Sequence, residues 1–318
     1  MPQPIFDTVA VVGSGVIGRS WLRVFTRAGC RTRLYDRDPE QAKRALAWFE
    51  EDTALDAREG FASAEDAKRW RSLITHHTSL SDAVAGAGFV QESGPEKIET
   101  KRAIYRELDE AAAPATILST STSALDINAI AGDLPGAQRC IMAHPCNPPH
   151  IIPVVEILAN KKTAPEVTKK TIEFLTQVGQ KPVVLNWYVN GFLLNRIQAA
   201  VVREAFLLVE SGVADAEAVD ACIKDGLALR WAFIGNFGAN HLNADGGIRA
   251  YFARYADAYR SMIGDLENRA PNFDDATMAK IVRERGFGET PQQVRAFAQW
   301  RDRMIVRLKA LKAKHPQT

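Results

Sequence analysis

The chain has 318 residues, of which 46% are hydrophobic and 25% charged, and its 40 Lys and Arg nearly balance its 38 Asp and Glu, for a net charge of +2. This composition is typical of a globular protein, and the length allows two domains, each with its own core. The basic residues are interleaved with acids and are not massed, so we expect no nucleic-acid partner.

The N-terminus, the apolar runs and the cysteines favour a cytoplasmic protein without a membrane span. The opening residues, MPQPIFD, place no basic flank before an apolar stretch, so we expect no signal peptide. No apolar run approaches the ~18 residues of a transmembrane helix. The four cysteines lack C-x-x-C spacing, and the pair His76 and His77 has no further ligand pattern nearby. We therefore expect reduced thiols and no metal site.

The first half of the chain alternates short apolar runs with helical segments. The runs that predict strands lie at residues 8–12, 32–35, 88–91, 116–118, 140–143 and 183–185. Helices between successive strands are typical of a doubly wound, parallel α/β sheet. Residues 38–72 form too long an interval for one helix, and their composition predicts a helical hairpin that projects from the sheet, with Gly60 at its turn.

The second half of the chain has an almost wholly helical pattern. Residues 192–210 place apolar side chains on one stripe at helical spacing. Asp215 is predicted to cap the next helix, and Pro291 to lie in the first turn of a last one. We place the domain boundary near residue 188, which gives an α/β domain at 1–188 and an all-helical domain at 189–318. The second carries more apolar stripe than a small domain can bury, so we expect it to join two copies in a homodimer.

A glycine-rich turn, in VVGSGVIGRSW, follows the first strand and opens the first helix. The G-x-G-x-x-G spacing allows a tight turn, a close approach of the backbone to a pyrophosphate, and close helix–strand packing. The residues expected to contact the cofactor at this turn are Gly13, Gly15, Val16, Ile17 and Gly18. Asp36 ends the second strand, where an acid binds ribose hydroxyls and repels a 2′-phosphate; Arg37 beside it weakens that preference. These residues predict a Rossmann-type domain that binds NAD.

A lone glutamate interrupts the apolar end of AHPCNPPHIIPVVEI. A buried carboxylate is costly unless it is paired, and His144, in the same stretch, is the candidate partner of Glu156. Two further polar residues need an explanation: Ser123, in STSTSAL just past a strand, and Asn195, one turn into the first helix of the second domain. With a nucleotide site upstream, the four residues together predict an active site.

The order and spacing of these motifs resemble the L-3-hydroxyacyl-CoA dehydrogenase family over essentially the whole chain. The likeness is closer to its lambda-crystallin branch, which includes L-gulonate 3-dehydrogenase, in VVGSGVIGRSW, AHPCNPPHIIPVVEI, GLALRWAFIG, HLNADG and QWRDRMIVRLKALK. The resemblance implies an NAD-dependent dehydrogenase in which His144 is the catalytic base, Glu156 is its carboxylate partner, and Ser123 and Asn195 hold the reacting oxygen. Such a reaction needs a base that titrates near neutral pH, as imidazole does.

The resemblance also implies further contacts to the cofactor and the substrate. The additional residues implied at the cofactor are Glu96, Lys101, Ser121 and Asn147. Ser121 stands where the acyl-CoA enzymes usually have asparagine, which leaves a contact near the nicotinamide open. Arg230 lies where those enzymes have an uncharged stretch, and the resembling branch shares this arginine. An arginine suits bidentate capture of a free carboxylate, so a small 3-hydroxy acid is the expected substrate.

Three other functions stay open at this point. A 3-hydroxyacyl-CoA dehydrogenase would use basic residues of the 38–72 hairpin, such as Lys43 and Arg44, to hold the CoA phosphates. An L-carnitine dehydrogenase would set aromatic side chains near Arg230 against a quaternary ammonium group; these are Trp231, Phe233 and Phe237. A non-catalytic NAD-binding protein, as the lens member of the branch suggests, would not need the pair of His144 and Glu156. Asn236 stands where proline usually follows Gly235, so gulonate itself is less firmly implied than a sugar-acid-like substrate.

Overall fold

The computed structural model describes residues 4–265 and 273–315, and the chain falls into two compact units. The first unit is Met1–Arg196 and the second is Ile197–Thr318. Cys30, Cys140 and Cys222 are free thiols, and the first two of them are buried. None of the helices in the described part of the chain has the length and apolar character needed to cross a membrane.

An eight-stranded sheet forms the centre of the first unit. Its strands are β1 Thr8–Val12, β2 Arg31–Tyr35, β3 Ile74–His77, β4 Phe89–Glu92, β5 Ile117–Thr120, β6 Cys140–Pro145, β7 Val154–Ala159 and β8 Lys181–Val184. They lie in the order β3-β2-β1-β4-β5-β6-β7-β8. The pair of β6 and β7 is antiparallel, while the other neighbours are parallel. The predicted doubly wound fold is confirmed, with two strands, β7 and β8, running opposite to the other six.

Two strands, β3 and β7, are absent from the strands predicted from the sequence. Strand β3 lies at the edge of the sheet, and its Thr75 and His76 are exposed, so it carries little apolar signal. Strand β7 is interrupted by Glu156, and it follows β6 through a loop without a helix. An antiparallel neighbour needs no helical crossover, which is why the helix–strand alternation did not indicate β7.

Helices accompany this sheet along the chain of the first unit. They are α1 Val16–Arg27, α2 Pro39–Arg58, α3 Ala64–Ser72, α4 Leu80–Val84, α5 Ile98–Ala111, α6 Ile127–Ala131 and α7 Pro165–Gln177. Helices α2 and α3 occupy the interval in which a helical hairpin is predicted, and Gly60 between them has a left-handed φ of 75°. The buried Arg23 of α1 holds α2 through ion pairs with Asp52 and Asp56.

Both faces of the sheet are buried in apolar cores. Val9 and Val11 of β1 join one core, and Ala10 and Val12 join the other. Successive side chains of a strand point to opposite faces, so a strand buried on both sides is apolar throughout. Because β1, β4, β5 and β6 are parallel, their carboxyl ends emerge at one edge of the sheet. Gly13, Glu96 and Ser123 follow β1, β4 and β5 there, and His144 lies near the end of β6.

The second unit is helical, as predicted. Its helices are α8 Leu194–Glu210, which begins in the first unit, then α9 Ala216–Ala221, a π-helix Cys222–Leu227, α10 Ala228–His241, α11 Gly247–Asp265, α12 Asp275–Arg285 and α13 Pro291–Lys314. Asp215 caps α9 by accepting from the N–H of Ala218, and Pro291 lies in the first turn of α13, as expected. Gly235 breaks the helical backbone within α10, where its φ is 67°.

Candidate active site

The glycine turn after β1 is shaped so that side chains would block it. Gly13 has a φ of 91°, and a Cβ there would lie 2.7 Å from the carbonyl carbon of Ser93. A Cβ at Gly18 would lie 1.8 Å from the carbonyl oxygen of Gly13, while one at Gly15 would meet nothing within 4 Å. The turn is thus closed towards the protein and open above Gly15, at the start of α1. This arrangement fits a pyrophosphate lying on the helix N-terminus.

A cleft of about 610 Å³ opens beside this turn. It is lined by Gly13 and Ser14 after β1, by Asp36 after β2, and by Ser93 after β4. Strands β1 and β4 are neighbours at which the strand order reverses, and doubly wound sheets bind their ligands at that point. The cleft therefore lies where an NAD molecule would be expected, and the glycine turn forms part of its wall.

Asp36 is held in this cleft by three hydrogen bonds. The backbone N–H and the hydroxyl of Ser14 donate to Oδ2 of Asp36 at 2.6 and 2.7 Å, and the N–H of Asp38 donates to Oδ1 at 2.9 Å. Arg37, the neighbouring cation, donates to Glu107 at 2.8 Å. This ion pair offsets the positive charge that would otherwise attract a 2′-phosphate, so the local charges favour NAD over NADP.

His144 and Glu156 are direct partners across strands β6 and β7. Opposite residues of an antiparallel pair place their side chains on the same face, within contact distance. Nδ1 of His144 lies 2.7 Å from Oε2 of Glu156, and the two residues are 7% and 2% exposed. The structure thus brings together the two residues that the sequence suggested as a pair.

The second carboxylate oxygen of Glu156 is also used. It accepts hydrogen bonds from the N–H groups of Leu193 and Leu194, at 2.7 and 2.9 Å, at the beginning of α8. Burial by itself would raise the pKa of Glu156, but the hydrogen bonds from His144 and from these N–H groups outweigh it and hold the pKa below its ordinary value. An ionised carboxylate cannot donate, so Nδ1 of His144 carries the hydrogen and Nε2 remains as the basic nitrogen.

The loop that carries Ser123 follows β5 and accepts hydrogen bonds from two residues in or just before α8. Nδ2 of Asn195 donates to the carbonyl oxygen of Ser123 at 3.3 Å. The hydroxyl of Tyr188 donates to the carbonyl oxygen of Ala124 at 2.9 Å. Because Glu156 binds the first N–H groups of α8, it positions the helix that carries Asn195 as well as the imidazole of His144. The four residues predicted for catalysis are therefore linked within the first unit.

Glu96 holds the same loop from the side of β4. Its Oε1 accepts from the hydroxyl of Thr122 at 2.6 Å and from the N–H groups of Ser123 and Ala124 at 2.8 and 3.1 Å. Since two of these bonds are to the backbone next to the Ser123 side chain, Glu96 determines where that side chain lies. The described contacts thus support a positioning role for Glu96, whose contact with the cofactor remains a prediction.

Lys101, also predicted at the cofactor, is 1% exposed. Its Nζ lies 3.0 Å from both carboxylate oxygens of Glu92 and donates to the carbonyl oxygen of Gly94 at 3.3 Å. Glu92 in turn accepts from Thr120 at 2.6 Å. A buried ion pair with these further hydrogen bonds is rigid, because breaking it would leave an uncompensated charge. Through Glu92 and Gly94, Lys101 therefore holds the end of β4 and the segment that follows it in place.

Ser121, Asn147 and Arg230 are further residues predicted at the cofactor or the substrate. Ser121 is bonded to Trp21, Gln91 and Ser93, near the glycine turn. Asn147 is exposed in the turn that follows β6. Arg230 belongs to the second unit, where it is exposed in the first turn of α10.

Several residues that shape the site were not predicted from the sequence. The sequence features that could have indicated them differ from one residue to the next. Ser14 lies inside the glycine motif itself, and Tyr188 lies in the segment before α8. Gln91 and Glu92 are polar residues within an apolar strand, which is the signal that drew attention to Glu156. Applied to every strand, that signal would have found them. Within the described residues, no three His, Cys, Asp or Glu side chains are placed to hold a metal ion.

Comparisons with known proteins agree with this geometry. Residues 8–187 match the NAD-binding domain of 3-hydroxyacyl-CoA dehydrogenase, and residues 191–283 match its C-terminal domain. The chain is 38% identical over 312 residues to the lambda-crystallin homolog of Bos taurus, covering 97% of each chain. It is 31% identical over 301 residues to an L-carnitine dehydrogenase of Oceanobacillus iheyensis, covering 94% of this chain and 96% of that relative.

A solved structure shares the whole architecture. It is that of 5-formyl-3-hydroxy-2-methylpyridine 4-carboxylic acid 5-dehydrogenase, an NAD+-dependent dismutase, with a TM-score of 0.80, 28% identity, and coverage of 96% of this chain and 98% of that one. The matches span both units, and the glycine turn and cleft provide the place for the cofactor. The chain belongs to the 3-hydroxyacyl-CoA dehydrogenase family, among lambda-crystallin-like relatives, and is an oxidoreductase that uses NAD.

Proposed function

We propose that this enzyme oxidises the 3-hydroxyl group of a small, free 3-hydroxy acid, as an L-gulonate 3-dehydrogenase-like enzyme. The observation that carries the reaction type is the buried pair of His144 and Glu156, which leaves Nε2 of the imidazole as a base. A protein that only binds NAD would have no use for this pair, and burying a carboxylate without a role costs free energy. The pair therefore argues for turnover.

His144 is the residue that takes the hydroxyl proton. Its Nε2 accepts the proton as the alcohol is oxidised, and Glu156 stabilises the imidazolium that forms, as the acid of a serine-hydrolase triad does. Asn195 and Ser123, held next to each other, orient the reacting oxygen. NAD, when bound beside the glycine turn, supplies the nicotinamide that accepts the hydride. Burial strengthens the polar interaction between His144 and Glu156.

The charge of the α2–α3 hairpin supports a substrate without CoA. Residues 39–72 contain eight Asp and Glu against six Lys and Arg, a difference of −2. Four of the six basic residues are ion-paired with acids, in the pairs Lys43–Glu40, Arg44–Asp38, Arg69–Asp66 and Arg71–Glu50. A hairpin that held the phosphates of CoA would need an excess of positive charge.

Arg230 supports a free carboxylate as the recognised group. It is exposed. The hydrogen bond between Tyr259 of α11 and Tyr251, with burial, raises the pKa of Tyr259, and the positive charge of Arg230 acts in the opposite direction. A guanidinium binds a carboxylate through two parallel hydrogen bonds. Carnitine is less favoured, because Nζ of Lys312 already lies 5.9 Å from the centre of the Phe233 ring, one of the faces considered for its quaternary ammonium.

A substrate panel tests this proposal directly. We expect NADH formation, followed by its absorbance, to be faster with free 3-hydroxy acids such as L-gulonate and 3-hydroxybutyrate than with 3-hydroxybutyryl-CoA or L-carnitine. The matched pair is 3-hydroxybutyrate and its CoA thioester, which share the reacting group and differ in the carboxylate. A higher kcat/KM for the thioester would replace this proposal with the acyl-CoA function.

We also propose that the second unit joins two copies in a homodimer. Large apolar side chains of its helices are exposed, including Ile197, Phe237, Leu242 and Ile263, each with about 70% or more of its surface accessible. Exposed apolar surface on this scale is typical of an interface between subunits. Sedimentation velocity at micromolar concentration should therefore show a mass near twice the 35.0 kDa of one chain. A species with the mass of one chain across that range would rule the dimer out.

A further inference from the structure

A buried hydrogen-bond network behind the glycine turn ends at a residue to which no role has yet been given, Ser93. The network consists of Trp21 on α1, Gln91 on β4, Ser121 after β5, and Ser93 after β4. Nε1 of Trp21 and Nε2 of Gln91 both donate to Oγ of Ser121, at 3.1 and 2.7 Å. Oγ of Ser121 lies 2.9 Å from Oγ of Ser93. Trp21 and Gln91 are fully buried.

Trp21 and Gln91 can only act as donors in this network. The amide of Gln91 is oriented by the carbonyl oxygen of Ala143, which lies 3.4 Å from Nε2. The flipped amide would place an oxygen against that carbonyl, so Nε2 is the atom that faces Ser121. The indole N–H of Trp21 can only donate. Both contacts are therefore donations to Ser121.

A serine hydroxyl has two lone pairs and one hydrogen. The two N–H donors occupy both lone pairs of Ser121, so its hydrogen must be donated to Ser93. Oγ of Ser93 then accepts from Ser121 and retains its own hydrogen, which cannot return to Ser121. No other group among residues 4–265 and 273–315 is in hydrogen-bond contact with this hydroxyl.

Ser93 lines the cleft beside the glycine turn and is half-buried. It also abuts the turn, since a Cβ on Gly13 would lie within 2.8 Å of its carbonyl group. We propose that Ser93 is a cofactor-binding residue, whose hydroxyl donates a hydrogen bond to an oxygen of the bound dinucleotide, and that Ser121 positions it. In this arrangement Ser121, which the sequence suggested as a direct contact, acts through Ser93. The inference depends on NAD as the cofactor and is independent of the proposed substrate.

Calorimetric titration with NADH, in the absence of substrate, tests the proposal without relying on activity. Ser93→Ala should raise the Kd for NADH about three- to tenfold, the range of one neutral hydrogen bond. Ser93→Thr keeps the hydroxyl and should bind NADH nearly as the wild type does. The matched control is Ser119→Ala: Ser119 is buried two residues before Ser121 on β5, and its hydroxyl has no partner among the described residues.

Smaller ligands locate the oxygen that Ser93 recognises. If it belongs to the adenosine-side phosphate, Ser93→Ala should weaken AMP, ADP and NADH by the same factor. If it belongs to the second phosphate of the pyrophosphate, ADP and NADH should be weakened and AMP left unchanged. If it belongs to the nicotinamide half, only NADH should be affected. A Kd for NADH that is the same in Ser93→Ala, Ser119→Ala and the wild type would overturn the proposal. An unchanged Kd in Ser121→Ala, with its fold intact by circular dichroism, would overturn the positioning role of Ser121.

Discussion

Replacing His144 with asparagine should lower kcat by about 10²- to 10⁴-fold, the contribution of a positioned general base, while NADH still binds. Asparagine fits a polar, buried position but cannot accept the proton of the alcohol. The glycine turn follows β1 and Asp36 follows β2, while His144 lies on β6 and does not line the cofactor cleft, so the cleft should be unaffected. The measurements are kcat with a free 3-hydroxy acid and the Kd for NADH by fluorescence titration.

Glu156→Gln is the companion variant, and the geometry explains why a near-isosteric change should be harmful. Glu156 uses one oxygen for His144 and the other for the N–H groups of Leu193 and Leu194. An amide has only one oxygen, so one of these contacts is left facing an NH₂ group. Losing hydrogen bonds to a charged group should cost about 1.5–3 kcal/mol of stability at neutral pH, in addition to activity.

The pH dependence of that stability difference has a definite sign. Since the pKa of Glu156 lies below its usual value, the carboxylate stabilises the fold above the pKa of the unfolded chain. This stabilisation is lost as the pH falls through the lower, folded-state pKa, so the gap in thermal stability between wild type and variant should narrow in acid. Near-wild-type turnover in either His144→Asn or Glu156→Gln would contradict the assigned pair.

Arg230→Met should raise KM for a free 3-hydroxy acid by roughly ten- to hundredfold, since a charge-assisted contact contributes about 1.5–3 kcal/mol. Methionine retains much of the length of the side chain but has no charge. Arg230→Lys should recover only part of the loss, because an ammonium does not offer the planar fork of a guanidinium. Steady-state kinetics on the three proteins gives the comparison.

Two controls separate carboxylate recognition from a general effect on the second unit. Arg249→Met removes another exposed arginine, at the start of α11, and should leave KM unchanged. An esterified substrate lacks the carboxylate, so its KM should be similar for the wild type and Arg230→Met. If Arg230→Met leaves KM for the free acid unaltered, the substrate class proposed here is wrong.

Features that depend on neighbouring residues could be predicted from the sequence. The glycine turn follows from the spacing of three glycines between a strand and a helix, and the turn in the structure is built from those residues. The cap at Asp215 is also local, because its side chain satisfies an N–H group three residues away, and so is the place of Pro291 in the first turn of α13. The family, the fold class and NAD as the cofactor followed from such motifs in their order along the chain.

Other features depend on which distant segments meet, and only the tertiary structure decides those. The antiparallel register of β6 and β7 sets His144 opposite Glu156, and the hydrogen bonds from His144 and from the start of α8 lower the pKa of the carboxylate. The contact of Lys101 with the cofactor stays a prediction, and the tertiary structure pairs its ammonium with Glu92. A polar side chain in a sequence shows only that a partner is needed. The packing of strands and helices that are far apart in the chain decides which group becomes its partner. A partner is needed because a buried polar group without a hydrogen bond costs free energy.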